Sequence, residues 1–148
     1  NGLHTNGYSL ARKVLLNKFN LDENISEINS SLKTELLKVH KSYLELIQSL
    51  TAKIEINAFS HITGGGIVGN TKRVVPEGLK IEIDWSTWEV PPIFKLIKNV
   101  GNISDNEMRK VFNMGIGLIA VIDEVNLDQV RNISASLNEE PIILGNIV

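Results

Sequence analysis

A run of three glycines, Gly64, Gly65 and Gly66, constrains the fold of this chain more than any other sequence feature. Residues 54–60 before it alternate in side-chain character with the period of two that is typical of a β-strand. Glycine has no Cβ and readily adopts left-handed backbone conformations, so a run of glycines favours a sharp turn. We therefore expect a strand that leads into a glycine turn, with a helix possible after it.

The glycine turn has two interpretations. Within residues 61–70, backbone N–H groups that no side chain obstructs can converge on one oxyanion, and a phosphate would suit such a loop. The segment lacks the Gly-Lys-Ser/Thr of a Walker A loop, and Gly64, Gly66 and Gly69 match the dinucleotide-binding pattern only loosely. The alternative is a purely structural turn, since glycine runs are first of all turn formers. The pattern alone leaves both interpretations open.

Composition excludes several classes of protein. The 148 residues are 43% hydrophobic, which suits one compact domain. The formal charge is −2 with interspersed signs, which gives no electrostatic reason to expect nucleic acid or an anionic membrane as a partner. The absence of cysteine excludes disulfides, thiolate metal sites and a cysteine nucleophile. No apolar run approaches the roughly 18 residues of a membrane-spanning helix. We expect a cytoplasmic protein.

Periodicity predicts an α+β fold. Residues 8–19 have helical spacing, and residues 32–50 predict one longer helix with His40 on its apolar stripe. Residues 104–107 form a capping box for a further helix. Residues 115–122 are a continuous apolar run, which predicts a strand buried on both faces. We expect layered helices packed on a mixed sheet of about four to six strands.

The first residues form a second candidate site. His4 titrates near neutrality, Asn6 offers hydrogen-bond donors and acceptors, and Gly7 permits close approach, so the segment could line a site for a polar substrate. The alternative is a helix cap with a surface histidine. The three scattered histidines lack any ligand spacing such as His-Glu-x-x-His, so we expect no metal site.

A third segment, residues 112–117, places two glycines one residue apart at the start of the apolar strand. Glycines at such a position suggest that the backbone lies close to something else, either a ligand or a neighbouring strand. No Ser/His/Asp triad can be assembled from the sequence, because triads are defined by geometry.

Five motifs in order resemble the C-terminal domain of phosphoribosylformylglycinamidine cyclo-ligase, the aminoimidazole ribonucleotide (AIR) synthetase family. They are Gly-Leu-His-Thr-Asn-Gly-Tyr-Ser-Leu (residues 2–10), His-Ile-Thr-Gly-Gly-Gly (61–66), Asn70 with Arg-Val-Val-Pro (73–76), Pro-Pro-Ile-Phe (91–94) and Phe-Asn-Met-Gly-Ile-Gly (112–117). The resemblance spans nearly the whole chain and implies the fold of that family's C-terminal domain.

The resemblance implies an enzyme of purine biosynthesis that uses ATP and Mg²⁺ to convert formylglycinamidine ribonucleotide into aminoimidazole ribonucleotide. Phosphoryl transfer activates an amide oxygen and the substrate's own nitrogen closes the ring, so the protein mainly positions groups and stabilises charge. In this family an N-terminal domain holds most of the ATP and Mg²⁺ ligands and forms a homodimer. Residues 1–148 would then be the C-terminal, substrate-binding domain. That domain alone would hold neither ATP nor Mg²⁺ and would be inactive.

The resemblance also implies residue roles. His4 is the implied catalytic residue, and the implied substrate-binding residues are Asn6, Thr63, Gly64, Gly65, Gly66 and Asn70. The chain departs from the family pattern Leu-Leu-x-Pro-Thr-Arg/Lys-Ile-Tyr at residues 36–43, where Val39 and His40 replace the proline and threonine. Either the helix here begins earlier or this part of the cleft differs.

Two alternatives accompany this interpretation. One is a related enzyme on the same two-domain plan: formylglycinamidine ribonucleotide synthase, selenophosphate synthetase or a hydrogenase maturation factor. The other is a non-catalytic module that keeps the fold and binds a phosphate-bearing ligand.

Overall fold

The computed structural model describes residues 2–4 and 6–148, and these residues form two compact units. The first unit comprises the segment ending at Lys41 together with Ile62–Asn70 and Val90–Gly117, and the second comprises Ser42–His61, Thr71–Glu89 and Leu118–Val148. The helices are α1 (Tyr8–Leu15), α2 (Leu32–Leu36), α3 (Leu44–Thr51), α4 (Gly66–Thr71), α5 (Pro92–Gly101), α6 (Asp105–Val111) and α7 (Leu127–Ser136). The strands are β1 (Asn24–Ile25), β2 (Ser30–Ser31), β3 (Ala58–His61), β4 (Ile81–Ile83), β5 (Leu118–Val121) and β6 (Gly145–Ile147). None of the helices described is long and apolar enough to span a membrane.

Helices build the core of the first unit, where α5 packs against α1 and α6. The pair Pro91-Pro92 predicts the start of a helix, because proline fits the first helical turn without loss of a hydrogen bond, and α5 does begin at Pro92. The sequence also predicts a left-handed glycine, Gly101, at the end of this helix, but the left-handed cap is Asn102 (φ 48°). Phe94 is fully buried, and its ring centroid lies 5.7 Å from that of Phe112. This aromatic pair fixes where α5 meets the end of α6.

Local capping explains where α6 begins. The hydroxyl of Ser104 accepts a hydrogen bond from the backbone N–H of Glu107 at 3.3 Å, which confirms half of the predicted capping box. In the other half, the carboxylate of Glu107 accepts from the Ser104 hydroxyl at 3.3 Å instead of from its backbone N–H. Acidic residues in the first turn and basic residues in the last turn complement the helix dipole.

The second unit has its own apolar core between α3 and α7. Leu50, Ile54, Val130 and Ile133 form this core, and Phe59 of β3 packs against it. Strands β3 and β5 pair antiparallel, with Ser60 opposite Ile119 in the register.

The predicted mixed sheet of four to six strands is wrong for the residues described here. Helices and strands both contribute, as α+β predicts, but the strands form three separate antiparallel pairs, β1–β2, β3–β5 and β4–β6. Strand β5 is half-buried rather than buried on both faces, and the predicted strand over 54–60 is reduced to β3. An apolar run reports burial of side chains but not the number of neighbouring strands, so it overstates a short paired strand.

The predicted single helix over residues 32–50 is also wrong. It is two helices, α2 in the first unit and α3 in the second, joined by a non-helical stretch at residues 37–43. The apolar stripe that suggested one helix combines side chains from two different cores. Leu37 and Val39 are 71% and 88% exposed, so they contribute to neither.

Phe94→Ala is expected to lower the free energy of unfolding by about 3–5 kcal/mol, because it removes a fully buried ring and leaves a cavity. Urea denaturation would measure the loss. Val125→Ala is the control: its side chain is 87% exposed, and the change should stay within about 0.5 kcal/mol. A loss below about 1 kcal/mol for Phe94→Ala would contradict this account of the core.

Candidate functional site

The predicted glycine loop lies between β3 and α4, and its three glycines are not equivalent. Gly64 and Gly65 are exposed, whereas Gly66 is buried. The N–H of Gly66 donates to the carbonyl oxygen of Thr63 at 3.2 Å. Within the described residues, the N–H groups of Gly64 and Gly65 make no hydrogen bond. Two adjacent exposed glycines therefore carry N–H groups without a partner in the described residues, and successive backbone N–H groups can bind an anion.

Asn70 holds this loop from within. Its side chain is buried, and its Nδ2 donates to the carbonyl oxygens of Gly66 (2.7 Å) and Thr63 (3.2 Å), with a weaker contact to Gly64 (3.4 Å). The hydroxyl of Thr63 donates to Asn70 Oδ1 at 3.1 Å. These contacts occupy the amide of Asn70 and give it a positioning role. Direct contact of Asn70 with a substrate stays a prediction.

Gly66 seats the loop on the end of α6. Its φ is 67°, and a Cβ at this position would collide with the carbonyl oxygen of Arg109 and lie 3.4 Å from that of Phe112. A Cβ at Gly65 would make only an ordinary 3.6 Å contact with Asn70 Nδ2, although its φ of 109° also disfavours a side chain. Both interpretations of the glycine run therefore have a physical basis: Gly66 is required by the turn, whereas Gly64 and Gly65 present donors.

The structure brings the first residues of the chain to the glycine loop. Asn6 Nδ2 donates to the carbonyl oxygen of His4 at 2.8 Å, and the Asn6 backbone N–H donates to that of Leu3 at 3.1 Å. Asn6 Oδ1 lies 3.4 Å from the place where a Cβ on Gly64 would stand. Asn6 thus links the two segments that the sequence singled out separately. The residue between His4 and Asn6 lies outside the described residues.

His4 is not a surface residue. It is only 4% exposed, and its backbone has a left-handed φ of 50°. Its imidazole stacks on that of His40, with centroids 4.1 Å apart and planes inclined by 19°. Gly7, which is also left-handed, is the N-cap of α1 and makes no side-chain cap. The segment does cap a helix, through Gly7, but the expectation that the histidine lies on the surface is wrong, as is the placement of His40 on a helix.

Asn113 is a positioning residue that the sequence interpretation missed. It is 1% exposed; its Nδ2 donates to the carbonyl oxygen of Gly2 at 3.2 Å, and its Oδ1 accepts from the N–H of Gly115 at 2.7 Å. The N–H of Ile62 donates to the carbonyl oxygen of Gly117 at 2.8 Å. Residues 112–117 therefore contact the backbone at Gly2, and Gly117 continues the pairing of β5 with β3, as the neighbouring-strand interpretation predicts. The signal in the sequence was a single amide within an apolar run.

Tyr8, at the start of α1, makes a neutral hydrogen bond within the first unit. The hydroxyl of Tyr8 donates to the carbonyl oxygen of Leu36 at 2.6 Å, and burial raises the pKa of Tyr8, which favours the protonated phenol. Among residues 2–4 and 6–148, no group of three His, Cys, Asp or Glu side chains could hold a metal ion. The expected absence of a metal site stays a prediction.

Gly66→Ala is expected to lower the free energy of unfolding by at least about 2 kcal/mol, because the new methyl group meets backbone and the left-handed conformation is strained. Gly69→Ala is the matched control in the same helix. A Cβ at Gly69 has no neighbour within 4 Å, so alanine should be neutral or stabilise by up to about 1 kcal/mol. Thermal and urea denaturation would measure the stability of both variants. If Gly66→Ala and Gly69→Ala change the free energy of unfolding equally, the packing of Gly66 against the end of α6 is refuted.

Comparison with known proteins places the chain in a family. Residues 1–148 match the family described as AIR synthase related protein, C-terminal domain. The chain is 44% identical over 150 residues to a phosphoribosylformylglycinamidine cyclo-ligase of Pseudothermotoga lettingae, covering 99% of this chain and 43% of that protein. The corresponding protein of Thermodesulfovibrio yellowstonii is 45% identical over 141 residues, covering 94% of this chain and 40% of the relative.

A third relative, the cyclo-ligase of Bacillus cytotoxicus, is 42% identical over 149 residues, covering 99% of this chain and 43% of that protein. The chain thus spans well under half the length of these relatives. The match to the family nevertheless covers every residue, including the glycine loop and the first residues that contact it. The chain belongs to the family of AIR synthase related proteins, as their C-terminal domain.

Proposed function

We propose that this chain is the substrate-binding part of a cyclo-ligase that converts formylglycinamidine ribonucleotide into aminoimidazole ribonucleotide in purine biosynthesis, with ATP consumed. The observation that carries the proposal is the pair of accessible N–H groups at Gly64 and Gly65, held by Asn70 and flanked by Asn6. The reaction is taken from the relatives, which are phosphoribosylformylglycinamidine cyclo-ligases.

The glycine loop is the proposed site for the phosphate of the ribonucleotide. The N–H groups of Gly64 and Gly65 would donate to phosphate oxygens, and their exposure leaves room for the ribose beyond. The contacts from Asn70 fix the loop before a ligand arrives, so less conformational entropy is lost on binding. Thr63 and Gly66 shape the loop through their own hydrogen bond.

The first residues are the proposed site for the reacting end of the substrate. Asn6 stands next to Gly64 and carries both an amide donor and an acceptor. We assign proton transfer during ring closure to the imidazole of His4, whose position Asn6 fixes through the His4 carbonyl oxygen. ATP supplies the phosphoryl group that activates the amide oxygen, and phosphate leaves as the substrate nitrogen attacks. No protein nucleophile is required for these steps.

The remaining part of the enzyme carries the other proposed functions. We place ATP and Mg²⁺ mainly on the domain that this chain does not include, together with the homodimer interface of a cytoplasmic enzyme. A small nucleotide is the proposed partner rather than nucleic acid or membrane, in keeping with a charge of −2 and mixed signs.

A second candidate is a related ATP-using enzyme or a phosphate-binding module without catalysis. The family description, AIR synthase related protein, is broader than the cyclo-ligase reaction. The His40 segment departs from the cyclo-ligase pattern, which also favours keeping this candidate. The substrate that the protein binds and converts distinguishes this second candidate from the cyclo-ligase.

Isothermal titration of the full-length protein with formylglycinamidine ribonucleotide, with and without ATP, tests the proposed reaction. We expect binding, ADP release and ring closure in the full-length protein, and no ATP-dependent ring closure by residues 1–148 alone. Absence of both binding and ADP release in the full-length protein would refute the cyclo-ligase function. Turnover by the 148-residue chain would refute the division between two domains.

Gly65→Val in the full-length protein is expected to abolish measurable substrate binding while the fold survives, because the side chain projects from the exposed loop that holds the phosphate. Gly78→Val is the matched control. Gly78 is also left-handed (φ 93°) and exposed with no neighbour within 4 Å of a Cβ, so valine there carries similar backbone strain away from the loop. If a folded Gly65→Val protein binds the substrate with unchanged affinity, the assignment of the phosphate site to this loop is refuted.

A further inference from the structure

His40 lies in the non-helical stretch between α2 and α3, and its burial runs against simple hydrophobicity. Leu37 and Val39 in this stretch are 71% and 88% exposed, whereas the imidazole of His40 is half-buried. Removal of apolar surface from water would favour the opposite arrangement, with the valine inside and the imidazole outside. Contacts other than apolar burial must therefore hold the ring of His40 inward.

One of these contacts is the stack on His4. The two ring centroids are 4.1 Å apart and the planes are inclined by only 19°. Rotation of an imidazole about its terminal torsion is broad when nothing restricts it, and a flat partner at van der Waals distance restricts it. The backbone of His4 is held separately, by the hydrogen bond from Asn6 to its carbonyl oxygen. Asn6 thus contacts the backbone of His4, and His40 covers one face of its ring.

We propose that His40 is a positioning residue that orients the His4 imidazole for ring closure; the proposal rests on the proton-transfer function assigned to His4 above. The orientation matters because proton transfer requires one ring nitrogen to lie within hydrogen-bond reach of the reacting group. His40 stands in the segment where this chain departs from the cyclo-ligase pattern. The cyclo-ligase pattern has no histidine at this position, so the stack of His40 on His4 is a feature of this chain and not of that pattern.

A double-mutant cycle on the full-length protein tests the proposal, with kcat and KM measured for wild type, His4→Gln, His40→Ala and the double variant. Loss of a general acid or base lowers kcat by about 10²- to 10⁴-fold, which we expect for His4→Gln. We expect His40→Ala to lower kcat roughly tenfold with KM within about twofold of wild type. In the His4→Gln background, His40→Ala should have no further effect, because a positioning residue acts only through its partner. Additive losses would overturn the proposal.

Matched variants separate positioning from a merely structural role. His40→Phe keeps a flat ring, so it should restore kcat to within about threefold of wild type, whereas His40→Thr should resemble His40→Ala. Val39→Ala, at the exposed neighbouring position, should leave kcat and KM unchanged. If His40→Phe is as impaired as His40→Ala, ring stacking is not what His40 contributes and the proposal fails.

A second readout does not depend on turnover. In full-length protein with ¹³C-labelled histidine, the His4 ring resonance, assigned by its loss in His4→Gln, should lose its ring-current shift in His40→Ala and keep one in His40→Phe. An unchanged His4 resonance in His40→Ala would overturn the proposal. If instead His4→Gln retains wild-type kcat, the assignment of His4 and this proposal both fall. If His4→Gln lowers kcat but His40→Ala does not, only the positioning role falls.

Discussion

The buried amide of Asn70 is the interaction on which the candidate site depends. A loop with successive left-handed glycines has many alternative conformations, and ordering it costs conformational entropy. Asn70 bridges the start and the end of the loop by contacting the carbonyl oxygens of both Thr63 and Gly66. The N–H groups of the exposed residues Gly64 and Gly65 make no hydrogen bond within the described residues, which is the basis of the proposed phosphate site. The amide of Asn70 therefore fixes the conformation of the loop that carries the proposed site.

Close backbone contacts at glycines and at a buried amide also join other segments of the first unit. Gly66 sits on the carbonyl of Arg109 at the end of α6, and Gly7 comes so close to the ring of Phe112 that a Cβ would collide with it. Asn113 joins the same region to Gly2. Since each of these contacts is made at a glycine or by a buried amide, the segments approach one another at backbone distance. The contacts at Gly66, Gly7 and Asn113 consequently both pack the first unit and position the candidate site.

Sequence reasoning succeeded where the physical cause is local. The start of α5 at Pro92 and the cap of α6 at Ser104 follow from neighbouring residues. It failed where the cause is distant: the stripe over residues 32–50 combines side chains from two cores, and periodicity cannot show that they belong to different units. The stack of His4 on His40 was missed for the same reason, because only the fold brings residues so far apart in sequence together.

The same contrast explains why five weak motifs together were specific. A glycine run or an isolated asparagine is a turn signal in most proteins. Here residues 2–10, 61–66 and 112–117 meet in one unit, through Asn6 beside Gly64, Asn113 on Gly2 and Ile62 on the carbonyl of Gly117. Each motif is constrained by the backbone of another, so a sequence that keeps one without the others would not assemble this loop. The motifs together therefore indicate one candidate site, whereas any one of them alone indicates only a turn.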